Sequence, residues 1–569
     1  MFKLRKYLKN YKKELILGPF FKLLEAIFEL IVPLVMAKII DEGIAKGDKE
    51  YILKMSGVII ILGVFGLGFA LTCQYFAAKC AYGFGTELRA DLYRHVNKFS
   101  HGEIDKFGTS SIITRITNDT MLAQNGVNMF IRLAVRAPFL IIGATVMSML
   151  IDLKLSLILL TAAALITVII VWAKKVTLPM YKKIQKGLDK ISLLTRENLD
   201  GVRVIRAFDK QSQETQELQN ESKKLSEDCV RAGRISAILN PVTFCLMNLG
   251  IVGIMWFGGM RVNSGFLTQG EITAFVNYMT QILLVLIVLA NLISIFSKAS
   301  SSASRINEIF ETKPSIMDTD DANFDFSSPA IKFNNVSFSY PDSSENSLEN
   351  ISFILEKGKS LGIIGGTGSG KSTLANLIPR FYDITSGNLK IFGNDIKNYS
   401  IQKLRKIIGV VPQKALLFTG TIAENMRWAK ADATEDEIIE ALKIAQAWEF
   451  VSSLPDGINT HISQGGKNLS GGQRQRLTIA RALVGNPPII IFDDSMSALD
   501  YATDLSLRKA INTKLSESTV IMISQRASTL QSCDNILVLD NGQPAGYGSH
   551  EKLLENCEEY IEIYNSQIS

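Results

Sequence analysis

The chain has 569 residues, 47% of them hydrophobic, and a formal net charge of +6. This length is too great for a single domain. Long apolar runs fill the first half and exclude a fully soluble protein, while the small net charge gives no reason to expect a nucleic-acid partner.

Six apolar runs in the first half predict membrane-spanning helices. Most of them reach the roughly 17 to 25 residues that a helix needs to cross a bilayer. The runs are Leu15 to Ile40, Ser56 to Ala78, Leu133 to Ile151, Leu153 to Trp172, Pro241 to Phe257 and Ala274 to Ile295. The third and fourth runs meet at Asp152, which predicts a tight hairpin at that residue.

Basic residues predict the orientation of these helices. The N-terminal segment is rich in lysine and arginine, at Lys3, Arg5, Lys6, Lys9, Lys12 and Lys13, and is therefore expected in the cytoplasm. An even number of spans returns the chain to the same side. Basic pairs agree at three later cytoplasmic ends: Arg132 and Arg136, Lys174 and Lys175, and Lys298 and Arg305.

Two further features concern processing and redox state. The first apolar run lacks a small-residue cleavage site, so we expect a membrane helix there and no signal peptide. The six cysteines form no C-x-x-C pair, which predicts free thiols.

Composition divides the chain into two domains and a linker. Residues 79–130 and 174–238 alternate charged and apolar positions at helical spacing, which indicates membrane helices that continue beyond the bilayer. Glu311 to Pro329 is acidic and rich in Asp, Ser and Pro, which is typical of an exposed linker. From Ile331 onward, strand-like runs alternate with helical ones and predict an α/β domain with a largely parallel sheet. We therefore expect domains at 1–310 and 331–569, joined by a linker at 311–330.

One motif in the second half predicts a phosphate-binding loop. The segment that fits G-x-x-x-x-G-K-[ST] consists of Gly365, Gly366, Thr367, Gly368, Ser369, Gly370, Lys371 and Ser372. Its glycines allow close backbone approach to phosphates, and Ser372 and Thr373 open a helix whose positive end faces them. We expect Lys371 to contact the β and γ oxygens of a bound nucleotide, Ser372 to ligate Mg²⁺, and Asp493 to hold the same ion through water.

Two later motifs complete a recognisable set. About a hundred residues on come Leu469, Ser470, Gly471, Gly472 and Gln473, and then an apolar strand, Ile489 to Phe492, that ends in Asp493. Together with the phosphate loop, they resemble the nucleotide-binding domain of ABC transporters. The resemblance covers the whole chain and implies an all-α, six-helix transmembrane domain of the exporter type, followed by an α/β P-loop NTPase domain.

The resemblance implies roles for further residues. Tyr340 matches the aromatic residue that stacks on adenine, although a tyrosine of the core at a strand end is the alternative. Gln413 matches the glutamine that contacts Mg²⁺ and water. Two segments match parts of the dimer interface: Leu469 to Gln473, which binds the ATP of the other subunit, and the loop of Ser497, Ala498, Leu499 and Asp500.

Short coupling helices are also implied by the resemblance. In the family these helices lie across the surface of the ATPase domain and link it to the membrane helices. Phe107 to Thr120 and Arg196 to Gln211 resemble the approaches to them. We expect the helices themselves at about Asn118 to Asn125 and Ala207 to Gln213.

Two positions depart from the family pattern. Asp494 stands where the family has a catalytic glutamate, and Gln525 stands where it has a histidine. The aspartate is one methylene shorter, and glutamine cannot carry the proton or positive charge of histidine, so we expect ATP binding with slow hydrolysis. Tolerated substitutions in a working homodimer are the alternative. Gln464, where exporters commonly have an acidic residue, is a weaker departure.

These departures predict one half of a heterodimeric exporter. A single nucleotide-binding domain cannot complete an ATP site, so the partner would be a second half-transporter that has the glutamate and the histidine. We expect ATP-driven export of drugs or other amphipathic compounds across the cell membrane of a bacterium, with the N-terminus and the ATPase domain in the cytoplasm. Lipid, peptide or haem-related transport, import, and a mainly regulatory nucleotide site remain alternatives.

A pair of membrane carboxylates suggests the type of substrate. Glu25 and Glu29 lie four residues apart on one face of the first apolar run. Carboxylates within a membrane usually face a cavity or a partner, so these could contact a cationic amphiphile. The alternative is an internal ion pair with Lys22.

Overall fold

The computed structural model describes residues 2–317, 322–340, 343 and 345–568. The chain divides into two compact units, Met1–Asn97 with Ser110–Thr312 and Lys98–Thr109 with Lys313–Ser569. The predicted linker at 311–330 is described only in part, because 318–321 lie outside the described residues.

Long helices build the first unit. They are Lys12–Lys38, Lys49–Val96, Thr109–Ile151, Leu153–Asp200, Gln211–Asn263 and Gln269–Glu311. Among the described residues, the last five of these helices are long and apolar enough to cross a membrane. The first has 27 residues, enough for a bilayer, but Lys22, Glu25 and Glu29 interrupt its apolar middle. The five helices run for 43 to 53 residues, which is longer than a bilayer requires and is consistent with the predicted extensions.

Buried polar contacts fix these helices to one another. Tyr278 is fully buried, and its hydroxyl donates to the backbone oxygen of Leu30 at 2.8 Å. This contact joins the first helix to the last. At the hairpin, the Asp152 carboxylate accepts from the backbone N–H of Leu155 at 2.9 Å and pairs with Arg261 at 2.5 Å. The tight turn predicted at Asp152 is therefore confirmed.

The predicted position of the first coupling helix is wrong. Residues 118–125 lie inside the long helix Thr109–Ile151, and the short connecting helix is His101–Phe107. The polar run around Asn118 stays helical because the fully buried Asp119 carboxylate accepts from Arg305 Nε at 2.8 Å and from the Ser302 hydroxyl at 3.0 Å.

The predicted position of the second coupling helix is wrong by fewer residues. This helix spans Val202–Ala207, earlier than the predicted 207–213, and a turn joins it to the helix that begins at Gln211.

Strands of the second unit are numbered in chain order. They are β1 Ile331–Phe338, β2 Leu348–Leu355, β3 Ser360–Gly365, β4 Ser386–Ile391, β5 Asn394–Asp395, β6 Ile408–Val411, β7 Gly420–Thr421, β8 His461–Ile462, β9 Ile489–Asp493, β10 Thr519–Ile523, β11 Asn535–Asp540 and β12 Gln543–Gly548. Helices follow or separate them at Lys371–Leu377, Ile401–Lys406, Ile422–Met426, Glu435–Ile444, Trp448–Ser452, Gly471–Leu483, Tyr501–Lys514, Ala527–Leu530, His550–Asn556 and Glu558–Ile568.

A largely parallel sheet forms the centre of this unit, as predicted. In the described part of the chain its strand order is β12-β11-β3-β10-β9-β6, with β12 antiparallel at the edge. An antiparallel sheet of order β2-β1-β4-β5 packs against the central sheet. Buried apolar side chains of both sheets form one cluster between them. The strands β3, β9 and β10 run side by side in parallel, so the loops after their carboxyl ends meet at one edge. The phosphate loop follows β3, Asp493 is the last residue of β9, and Gln525 lies just after β10.

Candidate nucleotide site

The loop after β3 is held close to its neighbours by glycines. A Cβ at Gly365 would lie 2.1 Å from the backbone oxygen of Leu539, which leaves no room for a side chain. Gly370 has φ +92°, in the left-handed region, and its Cβ would lie 2.8 Å from the backbone oxygen of Ser347. The helix Lys371–Leu377 begins directly afterwards, so its N-terminal N–H groups face the loop.

Lys371 and Ser372 are positioned at the start of this helix. Lys371 is buried, and its Nζ donates to the backbone oxygens of Gly365 and Gly366 at 3.0 and 2.5 Å. Burial lowers the pKa of this lysine, although Asp494 and Asp493 act in the opposite direction. The Ser372 hydroxyl donates to Asp493 at 2.8 Å, so the two predicted magnesium ligands are adjacent.

Asp493 and Asp494 end the strand β9 in different ways. Burial raises the pKa of Asp493, the Ser372 hydroxyl lowers it, and the charge of Asp494 raises it again. Asp494 has φ +45°, in the left-handed region that is uncommon outside glycine. Its carboxylate accepts from Gln413 Nε2 at 3.3 Å, and its backbone oxygen accepts from the Ser497 hydroxyl at 2.7 Å. The structure thus brings three predicted site residues into one chain of contacts.

A cavity of about 640 Å³ opens over the loop. Among its lining residues are Tyr340, Thr367, Gly368, Gly370, Lys371, Ser372, Thr373, Gln413, Asp494 and Gln525. The hydroxyl of Tyr340 lies 3.1 Å from that of Thr373, so the ring stands at the mouth of the phosphate loop. A cavity of this size, with a lysine, a helix N-terminus and a hydroxyl–carboxylate pair, fits a nucleotide with Mg²⁺.

Sequence reasoning missed one wall of this cavity. Asn541 and Gly542, in the hairpin turn between β11 and β12, line it together with Ser347. The Asn-Gly pair is a strong hairpin signal, but nothing local in the sequence places that turn beside the phosphate loop. Its position follows from the pairing of β11 with β3.

The signature segment opens a helix, as predicted. Ser470 is the N-cap of Gly471–Leu483, and its hydroxyl accepts from the backbone N–H of Gln473 at 3.3 Å. The Gln473 side chain accepts in return from the backbone N–H of Ser470 at 2.9 Å, which forms a capping box. Asp500 caps the following helix, Tyr501–Lys514, by accepting from Thr503 at 2.9 Å.

Aromatic contacts join Tyr340 to the short helix His101–Phe107. The Tyr382 ring lies edge-on to Tyr340, with centroids 5.2 Å apart, and the Tyr382 hydroxyl donates to Asp105 at 2.7 Å. His101 stacks on Phe381 at 4.4 Å. Burial lowers the pKa of His101, and the Arg405 charge adds to that effect. No local sequence pattern predicts these contacts.

Glu25 and Glu29 lie in the other unit, each beside a cation. Lys22 Nζ pairs with Glu25 at 2.6 Å, and Arg136 Nη2 pairs with Glu29 at 2.6 Å. All six cysteines lie among the described residues and are free, as predicted.

Two family models match the chain, one in each half. The model for the ABC transporter transmembrane region matches residues 15–286, and the model for ABC transporters matches residues 348–497. A relative of Bacillus subtilis (strain 168), the uncharacterized ABC transporter ATP-binding protein YfiB, is 37% identical over 99% of this chain and 97% of its own length. The chain belongs to the ABC transporters. It is an exporter-type half-transporter of the plasma membrane, with several membrane spans and a cytoplasmic, ATP-hydrolysing domain.

Two other proteins are similar to this ABC transporter at lower sequence identity. An ATP-dependent lipid A-core flippase of Syntrophus aciditrophicus (strain SB) is 32% identical over 87% of this chain and 83% of its own length. The solved structure of a bacterial Atm1-family ABC exporter with ATP bound has a TM-score of 0.80 at 25% identity and covers 98% of both chains. The predicted fold class, a helical transmembrane domain followed by an α/β ABC ATPase domain, is confirmed.

Proposed function

We propose that this half-transporter works in a heterodimer and exports amphipathic compounds. Its own phosphate loop binds ATP and hydrolyses it slowly. Its signature segment, Leu469 to Gln473, completes the site of a partner subunit that performs most of the hydrolysis. The observation that carries the proposal is the combination of Asp494 and Gln525 in a cavity where Lys371, Ser372 and Asp493 keep their contacts.

Binding of nucleotide follows from the groups that are present. The loop from Gly365 to Thr373 and the ring of Tyr340 would hold the phosphates and the adenine, and Ser372, Gln413 and Asp493 would hold Mg²⁺. The metal would neutralise phosphate charge. Burial lowers the pKa of Lys371, whereas the two neighbouring carboxylates favour its charged form.

Slow hydrolysis follows from the position of Asp494. A general base must reach the attacking water, and its loss typically costs about 10²- to 10⁴-fold in rate. The Asp494 side chain is one methylene shorter than glutamate, and Gln413 already donates to its carboxylate. Gln525 lines the same cavity and supplies an amide where a histidine could carry charge. Both changes lower the rate of hydrolysis and leave the groups that would contact the phosphates in place.

A heterodimer follows from the asymmetry between the two motifs. In the family arrangement each ATP lies between the phosphate loop of one subunit and the signature of the other. Since the signature of this chain keeps its serine, its glycines and its capping box, it is suited to complete a fully active site. The partner is therefore a second half-transporter with a glutamate after its corresponding aspartate and a histidine in the place of Gln525.

The substrate class is an amphipathic compound, such as a drug or a lipid. The apolar spans and the membrane carboxylates fit a molecule that enters from the bilayer. Lipid transport is a specific second candidate, because one relative is named as a lipid A-core flippase.

Assembly tests this proposal most simply. The chain is purified alone and together with a candidate partner half-transporter, and ATPase activity and particle mass are measured for both. We expect a stable, active pair and, for this chain alone, little activity. A homodimer of this chain with the full activity of the pair would contradict the proposal.

A further inference from the structure

The polar cluster in the membrane unit is electrically balanced. Each of its carboxylates has its own cation at 2.6 Å, Glu25 with Lys22 and Glu29 with Arg136. Gln281, on the last helix, completes the cluster by donating from Nε2 to the backbone oxygen of Glu29 at 3.4 Å. A lipophilic cation would therefore find no uncompensated negative charge here. What remains is a dipole, with the guanidinium of one helix beside the carboxylate of another.

Two apolar cavities share the Glu29–Arg136 pair. One, of about 380 Å³, lies between the first two helices and is lined by side chains such as Phe28, Val32 and Leu62. The other, of about 210 Å³, is lined by Leu133, Leu140 and Leu284 among others and also includes Gln281. The charged pair thus stands between two spaces that suit hydrocarbon. An ion pair that served only to clamp two helices together would be expected to pack without such spaces.

The cluster also has unused hydrogen-bonding capacity. In the part of the chain that the structure describes, Arg136 Nε and Gln281 Oε1 are buried without a hydrogen-bond partner. One is a donor and the other an acceptor. Buried polar atoms without partners are costly, particularly among apolar side chains, so a ligand that supplies both an acceptor and a donor would be favoured.

We propose that the transported compound is a zwitterionic amphiphile whose headgroup binds at Glu29, Arg136 and Gln281. The anionic part of the headgroup accepts from Arg136, and its cationic part lies against Glu29 and Gln281 Oε1. The hydrocarbon part occupies the adjoining cavities. This inference rests on the proposed export of amphipathic compounds and narrows that class to headgroups with both signs of charge.

Direct binding tests the site without relying on ATP. The full chain, alone and with its partner, is purified in a non-ionic maltoside detergent without nucleotide. Affinities are measured for lysophosphatidylethanolamine, which is zwitterionic and whose ammonium carries N–H donors, for tetraphenylphosphonium, a lipophilic cation, and for laurate, an anion. We expect lysophosphatidylethanolamine to bind at least about tenfold more tightly than either singly charged probe, because only it satisfies both signs of charge.

Two variants separate recognition from folding. Gln281→Leu removes the acceptor, and we expect it to weaken lysophosphatidylethanolamine binding by about tenfold. Exchange of the pair, Glu29→Arg with Arg136→Glu, keeps an ion pair between the helices while reversing the dipole, so we expect a folded protein with weakened binding. Arg261→Gln serves as the matched control, since it breaks the ion pair with Asp152 elsewhere in the same unit. It should leave the affinity unchanged.

The outcomes distinguish this inference from the proposed function. Tighter binding of tetraphenylphosphonium, or unchanged affinity in both variants, would overturn the zwitterion site. Export of other amphiphiles by a pair that does not bind lysophosphatidylethanolamine would overturn the site and keep the export function. Zwitterion binding that depends on Gln281, in a pair that exports nothing, would support the site and overturn the export function.

Discussion

The two nucleotide-facing surfaces of the ATPase domain differ in what they retain. The Walker surface, formed by Gly365 to Thr373 with Asp493, Asp494 and Gln525, keeps the contacts of Lys371 and Ser372, and we propose that Asp494 and Gln525 slow hydrolysis there. The signature surface, Leu469 to Gln473, keeps the family pattern and its capping box. In the proposed arrangement, nucleotide binding and hydrolysis depend on separate side chains, so one can weaken while the other persists.

The largest effect on ATPase activity is expected at the signature surface. We expect Ser470→Ala to lower the ATPase rate of the heterodimer by about 100-fold or more, because it removes a hydroxyl from the partner's active site. Steady-state phosphate release measures the effect. Ser549→Ala is the matched control, since Ser549 caps a helix of the same domain by accepting from Lys552. If both variants kept normal activity, the signature surface would have no part in hydrolysis.

Restoring the Walker surface gives the next largest effect. We expect Asp494→Glu with Gln525→His to raise hydrolysis at this site by about 10- to 100-fold, because a general base then reaches the water. The rate is measured in a heterodimer whose partner has lost its own catalytic glutamate. A rate that stays at the background value would mean that other features of this site limit hydrolysis.

A smaller effect is expected where Tyr382 links Tyr340 to the short helix His101–Phe107. Tyr382→Phe removes the hydroxyl that donates to Asp105 but keeps the ring against Tyr340. We expect substrate stimulation of ATPase to fall by a few-fold, up to about tenfold, with nucleotide affinity unchanged.

Asp105→Asn provides the partner variant for a double-mutant cycle. Both single changes weaken the same hydrogen bond, so the double variant should lose no more stimulation than either alone. Additive losses, or a matching loss of ATP affinity, would contradict a link through this contact.

The smallest effect concerns pH. Burial and the charge of Asp494 raise the pKa of Asp493 above its usual 3.8, so Mg²⁺-dependent nucleotide binding should weaken as the pH falls through that raised value. Asp494→Asn removes one of the raising charges, and we expect the loss of binding to move to lower pH. Magnesium titrations with nucleotide between about pH 4 and pH 7 measure the midpoint. Asp432→Asn, at an exposed position, should leave it in place, and an upward shift in Asp494→Asn would contradict the assignment.

Motifs with a backbone cause were predictable. The glycine loop, the helix that Ser470 caps and the hairpin at Asp152 follow from local rules, and the structure contains each of them. The short helix His101–Phe107 had a local signal too, because Ser100 and Glu103 form a capping box. The resemblance instead places the first coupling helix at the polar run Asn118 to Asn125, since the buried pairing of Asp119 with Arg305 cannot be seen in sequence.

Contacts between distant segments were not predictable. Tyr382 and Asp105 lie 277 residues apart, and neither stands in a sequence pattern that points to the other. Arg136 was interpreted as a basic residue at a cytoplasmic helix end, yet it pairs with Glu29. The site residues inferred from the family resemblance have geometry consistent with their roles, and the roles themselves stay predictions.

One comparison of variants tests the asymmetry most directly. In the purified heterodimer, Asp494→Asn in this chain is compared with replacement of the partner's catalytic glutamate by glutamine, and ATP turnover is measured for each. We predict that Asp494→Asn keeps at least about half of the activity, whereas the partner's change lowers it by about 100-fold or more. Equal losses from the two changes would contradict the division of binding and hydrolysis between the subunits.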